Sequence, residues 1–313
     1  MGKQQCCKWK FVATMALAAM LVGSAGTVQA QLSDTTAFLA DVANQYRVVP
    51  NVVYHVANNH ENKLDLYLPT DPDGPTPVLM MIHGGGWVAG TKESQLLRAL
   101  PYLEMGWAVV NVSYRLVQVS RAPAAVEDCL CALQWIARNA DRYHFDLSRI
   151  VTTGNSAGGH LALTSGMTPA SSGLGWECTS GNFSGPPTIP SVEVAAIINW
   201  YGITDVADLA TGPNTKGYAV QWLGSLPNRA EVASVVSPLT YVDSEVPPVL
   251  TIHGDADQIV PYDHALRLHA ALDEAGVANQ LHTVPGGGHG GFNRAETLTI
   301  YEVIQGFLRE QGL

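Results

Sequence analysis

The stretch that most constrains the fold of this chain is residues 154–159, with the sequence GNSAGG. An apolar, β-branched run, residues 150–153 (IVTT), precedes it, and apolar residues at helical spacing follow it. A serine flanked by such small residues at this junction predicts a strand, a tight turn and a helix, with Ser156 strained at the turn. Taken alone, the motif is equally compatible with a Gly- and Ser-rich loop without chemical meaning, because five residues recur by chance. The remainder of the chain must decide between the two interpretations.

Strand and helix patterns alternate on both sides of this turn. Continuously apolar runs predict strands that are covered on both faces, and they lie at residues 78–82, 108–112, 194–201 and 249–253. Residues 52–56 and 64–68 predict a strand pair that turns at Asn58 and Asn59, and a short last strand spans residues 280–284. Helical spacing covers residues 93–105, 123–140 and 261–275, and a terminal helix is expected from about residue 295.

This alternation predicts an α/β fold, in which a mostly parallel sheet carries helices on both faces. Pro123 is expected at the first position of the helix over residues 123–140, and Gly276 is expected to end the helix over residues 261–275. Residues 168–191 interrupt the pattern with Gly, Ser, Pro and Thr, which predicts a surface excursion. The sequence shows no internal repeat and no linker, so residues 31–313 are predicted to form a single catalytic domain.

The first thirty residues have the pattern of a secretory signal peptide. Lys3, Lys8 and Lys10 form a basic start, residues 11–23 are apolar, and residues 28–30 (VQA) resemble a cleavage site. Thirteen apolar residues are too few to span a bilayer as a helix, so no stable membrane anchor is expected. The sequence therefore predicts a secreted or periplasmic protein, cleaved after about Ala30.

Charge and cysteine content narrow the possible ligands. The net charge of −10 disfavours nucleic acid as a partner. Cys129 and Cys131 point away from each other on a predicted helix, so Cys178 could pair with one of them, or all three could be free thiols. The Cys and His residues show no metal-ligand spacing, so neither a metal nor a cofactor is predicted.

A base and an acid for Ser156 can be proposed from the last third of the chain. A serine hydroxyl needs a base at neutral pH, and His289 lies in the glycine-rich stretch 286–291 after the last predicted strand. Three other histidines are poorer candidates for the base. His83 opens a glycine-rich loop, His160 lies in the helix after the Ser156 turn, and His253 ends a predicted strand. Asp257 and Asp255 follow the preceding strand.

Asp257 is the preferred acid, because Asp255 follows the strand so closely that it could instead bond the local backbone. The order Ser156, Asp257, His289 is the one that an α/β-hydrolase fold imposes. An oxyanion hole is expected from the backbone N–H groups of Gly85, Gly86 and Ala157, since glycines after a buried strand allow a substrate to come close.

Four side chains near the predicted strand ends are candidates for substrate binding: Trp87, Trp200, Tyr201 and Ile259. Aromatic side chains at such an edge can stack on sugar or aryl groups, although the same residues often serve as ordinary packing.

Together the motifs resemble those of secreted bacterial α/β-hydrolase esterases of the His-Gly-Gly-Gly-Trp type. This group contains acetyl esterases, feruloyl esterase-like enzymes and hormone-sensitive-lipase-like enzymes. The likeness runs from about residue 53 to the C-terminus and rests on residues 83–87, 154–159, 253–257 and 288–290. It implies the same nucleophile, acid, base and oxyanion donors.

The chain departs from the hormone-sensitive-lipase-like pattern in two respects. Only about fifty residues of the predicted mature chain precede the His-Gly-Gly-Gly loop, and the acid motif at residues 253–261 has the form His-Gly-x-x-Asp-x-x-Val-Pro. The resemblance therefore implies an open site with a minimal cap or none.

The resulting expectation is a serine carboxylic-ester hydrolase that acts through an acyl-enzyme. Its substrates would be short-chain or carbohydrate-linked esters, such as acetyl or feruloyl groups on small molecules or polysaccharide. The alternatives are a serine peptidase or amidase with the same triad, prolyl-oligopeptidase-like or arylformamidase-like, and a catalytically inactive hydrolase-fold binding protein. The oligomeric state stays open.

Overall fold

A single eight-stranded sheet lies at the centre of the molecule. The computed structural model describes residues 34–175, 178, 192–225 and 227–313. The proposed signal segment and most of the 168–191 excursion lie outside these residues, so both stay predictions. The strand order across the sheet is β1-β2-β4-β3-β5-β6-β7-β8, where the strands are β1 (Tyr46–Ala57), β2 (His60–Pro69), β3 (Thr76–Ile82), β4 (Ala108–Val112), β5 (Phe145–Asn155), β6 (Ala196–Trp200), β7 (Val249–Gly254) and β8 (Asn279–Val284).

Ten helices are described along the same chain. They are α1 (Asp34–Gln45), α2 (Leu96–Glu104), α3 (Ala124–Arg138), α4 (Ala140–Tyr143), α5 (Ala157–Met167), α6 (Val206–Ala210), α7 (Gly217–Leu223), α8 (Arg229–Val235), α9 (Asp263–Ala275) and α10 (Arg294–Glu310). None of the helices in the described part of the chain is both long and apolar enough to cross a membrane.

The N-terminal strands form the antiparallel edge of the sheet. β1 pairs with β2, and β2 pairs with β4, both in antiparallel orientation. Asn58 and Asn59 join the hairpin with φ angles of 53° and 55°, which are the left-handed values that a two-residue hairpin turn requires. The predicted strand pair is thus confirmed, with longer strands than the alternating pattern indicated.

From β4 to β8 all neighbouring strands are parallel, and two apolar cores cover them. Every residue of β4, β6 and β7 is buried, as the continuously apolar runs predict. Helices α3, α5 and α9 pack in one core, and helices α2 and α10 pack in the other. The predicted α/β fold, with a mostly parallel sheet and helices on both faces, is confirmed.

Three details differ from the sequence-based expectations. Pro123 is the N-cap of α3 and not its first helical residue. The helix expected from residue 93 begins as a 3₁₀ turn, Lys92–Gln95, and becomes α-helical only at Leu96. The three short helices α6, α7 and α8, which lie between β6 and β7, have no counterpart in the prediction.

The pairing of Cys129, Cys131 and Cys178, which the sequence leaves open, is defined in the structure. Cys131 on α3 forms a disulfide with Cys178, while Cys129 is a buried free thiol. The interpretation of all three as free thiols is therefore wrong.

Candidate active site

Ser156 stands on a tight turn between β5 and α5. Its φ of 56° lies in the left-handed region, which is costly for a residue with a side chain. The residue is the N-cap of α5, and it is 8% exposed. A strained serine at the carboxyl end of a central strand is the arrangement that the 154–159 motif predicts.

The glycines around Ser156 are required by close backbone packing. A Cβ on Gly154 would collide with the backbone of Gly158, and a Cβ on Gly158 would collide with the carbonyl oxygen of Ile82 at the end of β3. The turn can therefore form only if both positions lack a side chain. This tight packing around the turn holds the backbone of Ser156 in its strained conformation.

Asp257 and His289 contact each other at the ends of β7 and β8. The Nδ1 atom of His289 lies 2.7 Å from Oδ2 of Asp257, whose side chain is fully buried. Since the ionised carboxylate only accepts, His289 donates from Nδ1 and leaves Nε2 to face other groups. The acid is thus placed to orient the imidazole.

A short chain of contacts connects Ser156 to this pair. The backbone N–H of Ser156 donates to the carbonyl oxygen of Trp200 at 2.9 Å. The next residue, Tyr201, lies edge-on to the ring of His289, with 4.7 Å between the ring centroids. Because β5, β6, β7 and β8 are parallel neighbours, their carboxyl ends bring Ser156, Tyr201, Asp257 and His289 to one edge of the sheet.

Several donors keep the Asp257 carboxyl ionised. Burial alone would raise its pKa, but hydrogen bonds from His253, His289 and the backbone of Ile259 outweigh it and hold the pKa well below the ordinary value of 3.8. Asp255 has a different contact: its Oδ1 accepts the N–H of Gly286 at 2.6 Å. Asp255 therefore anchors the loop that carries His289, while Asp257 contacts the base itself.

The loop after β3 is shaped to leave backbone donors free. Gly85 and Gly86 have φ values of 112° and 60°. A Cβ on Gly85 would collide with the carbonyl oxygen of Ala89. Among the residues that the structure describes, neither Gly85 nor Gly86 donates its N–H to another protein group. Ala157 opens α5, so its N–H has no acceptor within the helix.

Two buried histidines hold this loop in place. His83 Nδ1 bonds the carbonyl oxygen of Gly84 at 2.8 Å, and its ring stacks on Tyr114 with 4.3 Å between centroids. His160 bonds the carbonyl oxygen of Val236 through Nε2 at 2.6 Å, and its Nδ1 accepts from Trp87 at 3.3 Å. Burial lowers the pKa of His83 and of His160 to about 4, so both act as neutral hydrogen-bonding groups.

Trp87 does not face the open site. Its side chain is fully buried and stacks on Trp222 with 4.1 Å between ring centroids. Its Nε1–H donates to Nδ1 of the buried His160 at 3.3 Å. The expectation of a substrate contact is therefore corrected to packing beneath the loop that follows β3.

The other three candidates for substrate binding have different surroundings. Trp200 packs in the core on the α2 and α10 side, where Tyr301 and Arg98 lie 5.9 Å and 5.7 Å from its ring. It is thus also a packing residue and is not open to a substrate. Tyr201 is buried against His289, whereas Ile259 is 45% exposed directly beside the acid.

Tyr218 on α7 is a residue of the site that the sequence gives no reason to choose. Its side chain lies against Gly86 and Trp87, and its hydroxyl donates to the carbonyl oxygen of Ile259 at 3.1 Å. Tyr218 therefore bridges the loop after β3 and the loop after β7. The only available signal was the helical spacing of residues 217–223, which is too short to stand out from the background.

Within the described ranges, no group of three or more His, Cys, Asp or Glu side chains could hold a metal ion.

Comparison with known proteins places this geometry in context. The BD-FAE family model matches residues 64–272. The chain is 29% identical to esterase LipQ of Mycobacterium tuberculosis over 262 residues, covering 79% of this chain and 59% of LipQ. It is 30% identical to esterase LipC of the same organism over 240 residues, covering 72% of this chain and 56% of LipC. The chain thus spans a little over half the length of these curated relatives.

A solved structure matches over nearly its whole length. It is a truncated form of a carbohydrate esterase from gut microbiota, 28% identical, with a TM-score of 0.70. The match covers 86% of this chain and 98% of that one.

Proposed function

The chain belongs to the BD-FAE family of α/β-hydrolase esterases, and from this premise we propose that it hydrolyses carboxylic esters with Ser156 as nucleophile, His289 as base and Asp257 as acid. The observation that carries the proposal is the 2.7 Å contact between His289 Nδ1 and Asp257 Oδ2, at the same sheet edge as a serine with a φ of 56°. Strained backbone of this kind clusters at active sites, which supports a chemical role for Ser156.

In the proposed mechanism, Nε2 of His289 takes the proton from Ser156 as its Oγ attacks the ester carbonyl carbon. The carbonyl oxygen becomes an oxyanion, which the N–H groups of Gly85, Gly86 and Ala157 stabilise. The tetrahedral intermediate then collapses: the bond to the alcohol oxygen breaks, and His289 returns its proton to the leaving alcohol. Asp257 steadies the imidazolium throughout without taking the proton.

Deacylation repeats these steps with water in place of Ser156. His289 accepts a proton from the water, whose oxygen attacks the acyl carbon. The second oxyanion uses the same donors, and its collapse releases a carboxylic acid and restores the serine hydroxyl. The reaction consumes one ester and one water for each turnover, and no redox step is involved.

The proposed substrates are short-chain or carbohydrate-linked esters, such as acetyl or feruloyl esters. An open site supports this class: Ile259, beside the acid, is 45% exposed, and the His289 side chain is 19% exposed. Likeness to a carbohydrate esterase adds support, although that name describes the other protein.

We also propose that the protein is exported. The disulfide between Cys131 and Cys178 supports this location, because disulfides persist in oxidising compartments. Detection of the processed chain outside the cytoplasm, starting near residue 31, would test the proposal; an unprocessed cytoplasmic protein would contradict it.

Turnover of p-nitrophenyl acetate tests the enzymatic proposal. The wild-type protein should release p-nitrophenol, and Ser156→Ala should lose this activity by about 10⁴-fold or more, because the nucleophile is absent. Ser165→Ala is a matched control, since Ser165 is a buried serine whose hydroxyl donates to the carbonyl oxygen of Leu161 within α5. Undiminished activity of Ser156→Ala would refute the proposed nucleophile.

A second comparison separates an esterase from an amidase. Acetyl and feruloyl esters should be cleaved faster than aminoacyl anilides of similar size. Faster cleavage of the anilides would instead make the protein a peptidase or amidase with the same triad.

A further inference from the structure

A second histidine contacts the proposed acid. His253 is the penultimate residue of β7, and its side chain is fully buried. Its Nε2 lies 3.2 Å from Oδ2 of Asp257 and 3.1 Å from the carbonyl oxygen of Val260. Oδ2 of Asp257 thus has His289 on one side and His253 on the other.

The surroundings of His253 decide its tautomer. Both atoms that face Nε2 are acceptors, so Nε2 must carry the hydrogen and donate to them. Nδ1 is then unprotonated, and within the described part of the chain it is buried without a hydrogen-bond partner. Protonation at Nδ1 would create a buried N–H and a buried charge with no acceptor, which is strongly unfavourable. His253 is therefore a neutral donor.

The carboxylate of Asp257 is fully occupied as a result. Oδ1 accepts the N–H groups of Ile259 at 2.7 Å and Val260 at 3.0 Å. Oδ2 accepts from His289 at 2.7 Å and from His253 at 3.2 Å. Without His253, Oδ2 would have the base as its one side-chain donor within the described residues, and more of its charge would act on the base.

We propose that His253 is a positioning residue for the reaction: its neutral Nε2–H holds the Asp257 carboxylate in the plane that His289 needs and limits how strongly the carboxylate stabilises the protonated base. This inference rests on the proposed function. His253 does not contact the reacting atoms, and it acts through Asp257.

Loss of this donor should change both the rate and its pH dependence. A carboxylate with one donor fewer holds the imidazolium of His289 more strongly, so the acid limb of the kcat/KM profile should move to higher pH. A carboxylate that is free to rotate also orients the base less well, so kcat should fall while KM stays nearly constant.

Other groups that face these two histidines and Asp257 are the same in every variant. The ring of Tyr201 lies against His289. The rings of Tyr201 and Tyr262 also lie against His253, and the charge of Asp257 acts on the hydroxyl of Tyr218. Arg98 reaches the Tyr201 hydroxyl at 3.4 Å. The Asp255 carboxylate is bonded to the base loop at Gly286.

The test compares His253→Leu, which removes the donor, with His253→Gln, whose amide N–H can replace it. His269→Leu is the matched control, because His269 is also buried, bonds a side chain outside the site (Asn279) and has one ring nitrogen without a partner among the described residues. Rates on p-nitrophenyl acetate are measured from pH 5 to 9, beside the wild-type protein and Ser156→Ala.

The proposal expects His253→Leu to lose about tenfold in kcat, with the acid limb about half a pH unit higher. His253→Gln should recover most of both changes, and His269→Leu should match the wild-type profile. If His253→Leu leaves the acid limb in place or moves it to lower pH, or if His253→Gln is as impaired as His253→Leu, the inference is wrong. If Ser156→Ala is inactive in the same experiment, the proposed function survives that failure; if it is active, the proposed function fails instead.

A measurement on the unmodified protein covers the case in which a variant does not fold. Long-range ¹⁵N–¹H correlation spectra of ¹⁵N-histidine-labelled protein report which ring nitrogen carries the hydrogen. The His253 signals are assigned by their loss in His253→Gln if that variant folds, and by their contacts with Tyr262 otherwise. The proposal expects the Nε2–H tautomer of His253, the form that the two acceptors facing Nε2 require. An Nδ1–H tautomer would overturn it.

Discussion

The two halves of the candidate site are held by different forces. On the oxyanion side, Gly85 and Gly158 are fixed by close packing, because a Cβ at either position would collide with a backbone carbonyl oxygen. On the acid–base side, Asp257 is fixed by hydrogen bonds from His253 and His289 and from two backbone N–H groups. Close packing thus fixes Gly85 and Gly158 in the first half, whereas hydrogen bonds fix the Asp257 carboxylate in the second.

This difference predicts different responses to mutation. A change on the oxyanion side should lower the rate without moving the pH profile, because it alters only where donors lie. A change on the acid–base side should alter the pH profile as well, because it alters the charge that the base experiences.

The largest expected effect is on the acid–base side. Asp257→Asn should lower kcat by about 10⁴-fold, because an amide can neither stabilise the imidazolium nor fix its tautomer. Asp255→Asn is the matched control: it retains an oxygen that can accept the N–H of Gly286 and should stay near the wild-type rate. Steady-state kinetics on p-nitrophenyl acetate measures both, and equal losses would contradict the assignment of Asp257 as the acid.

A smaller loss is expected on the oxyanion side. Gly85→Ala should lower kcat by about 10²–10³-fold. A Cβ at residue 85 would collide with the carbonyl oxygen of Ala89, so the loop would have to shift and the N–H donors of Gly85 and Gly86 would be displaced. The acid limb should stay in place, in contrast to that of His253→Leu. Gly217→Ala is the control, since a Cβ there meets no atom within 4 Å. A normal rate for Gly85→Ala would remove this loop from the oxyanion hole.

The smallest effect concerns stability, and it gives the oxyanion side a pH response of its own. Burial lowers the pKa of His83 and His160 on this side, and that of His264 outside it on α9, from the ordinary value of 6.5 to about 4. Between these values the unfolded chain binds protons that the native chain does not. The stability from these histidines is therefore complete above pH 6.5 and declines as the pH falls toward 4.

Each histidine should contribute up to about 1.4 kcal/mol for every pH unit in this window. Urea unfolding followed by tryptophan fluorescence at pH 7, 6 and 5 measures the decline, and His160→Gln should reduce its slope. An unfolding free energy that is constant from pH 7 to 5 would contradict the neutral role of these histidines.

The sequence was most informative where one physical requirement dominates. Continuous apolar runs predicted β4 and β7 because strands of a covered parallel sheet must be apolar on both faces. The 154–159 motif predicted a strained turn because glycine alone fits there. Asn58 and Asn59 predicted the hairpin because asparagine tolerates left-handed φ values.

The sequence was least informative where tertiary contacts decide. Helices α6, α7 and α8 have five to seven residues each, too few for a clear period, so Tyr218 was missed. The indole of Trp87 was expected at the substrate side, but it is buried and stacks on Trp222 of α7, a contact between residues far apart in the sequence. The roles of His83, His160 and His253 depend on partners distant in sequence or on side-chain orientation, which no local pattern encodes.

The central claim is that an acyl group passes through Ser156. The most direct measurement is mass spectrometry of the protein quenched in acid during turnover of p-nitrophenyl acetate, followed by proteolysis. We expect one added acetyl group on the peptide that contains Ser156, and none in Ser156→Ala. An acetyl group carried on a different residue during turnover, or full turnover by Ser156→Ala, would contradict it.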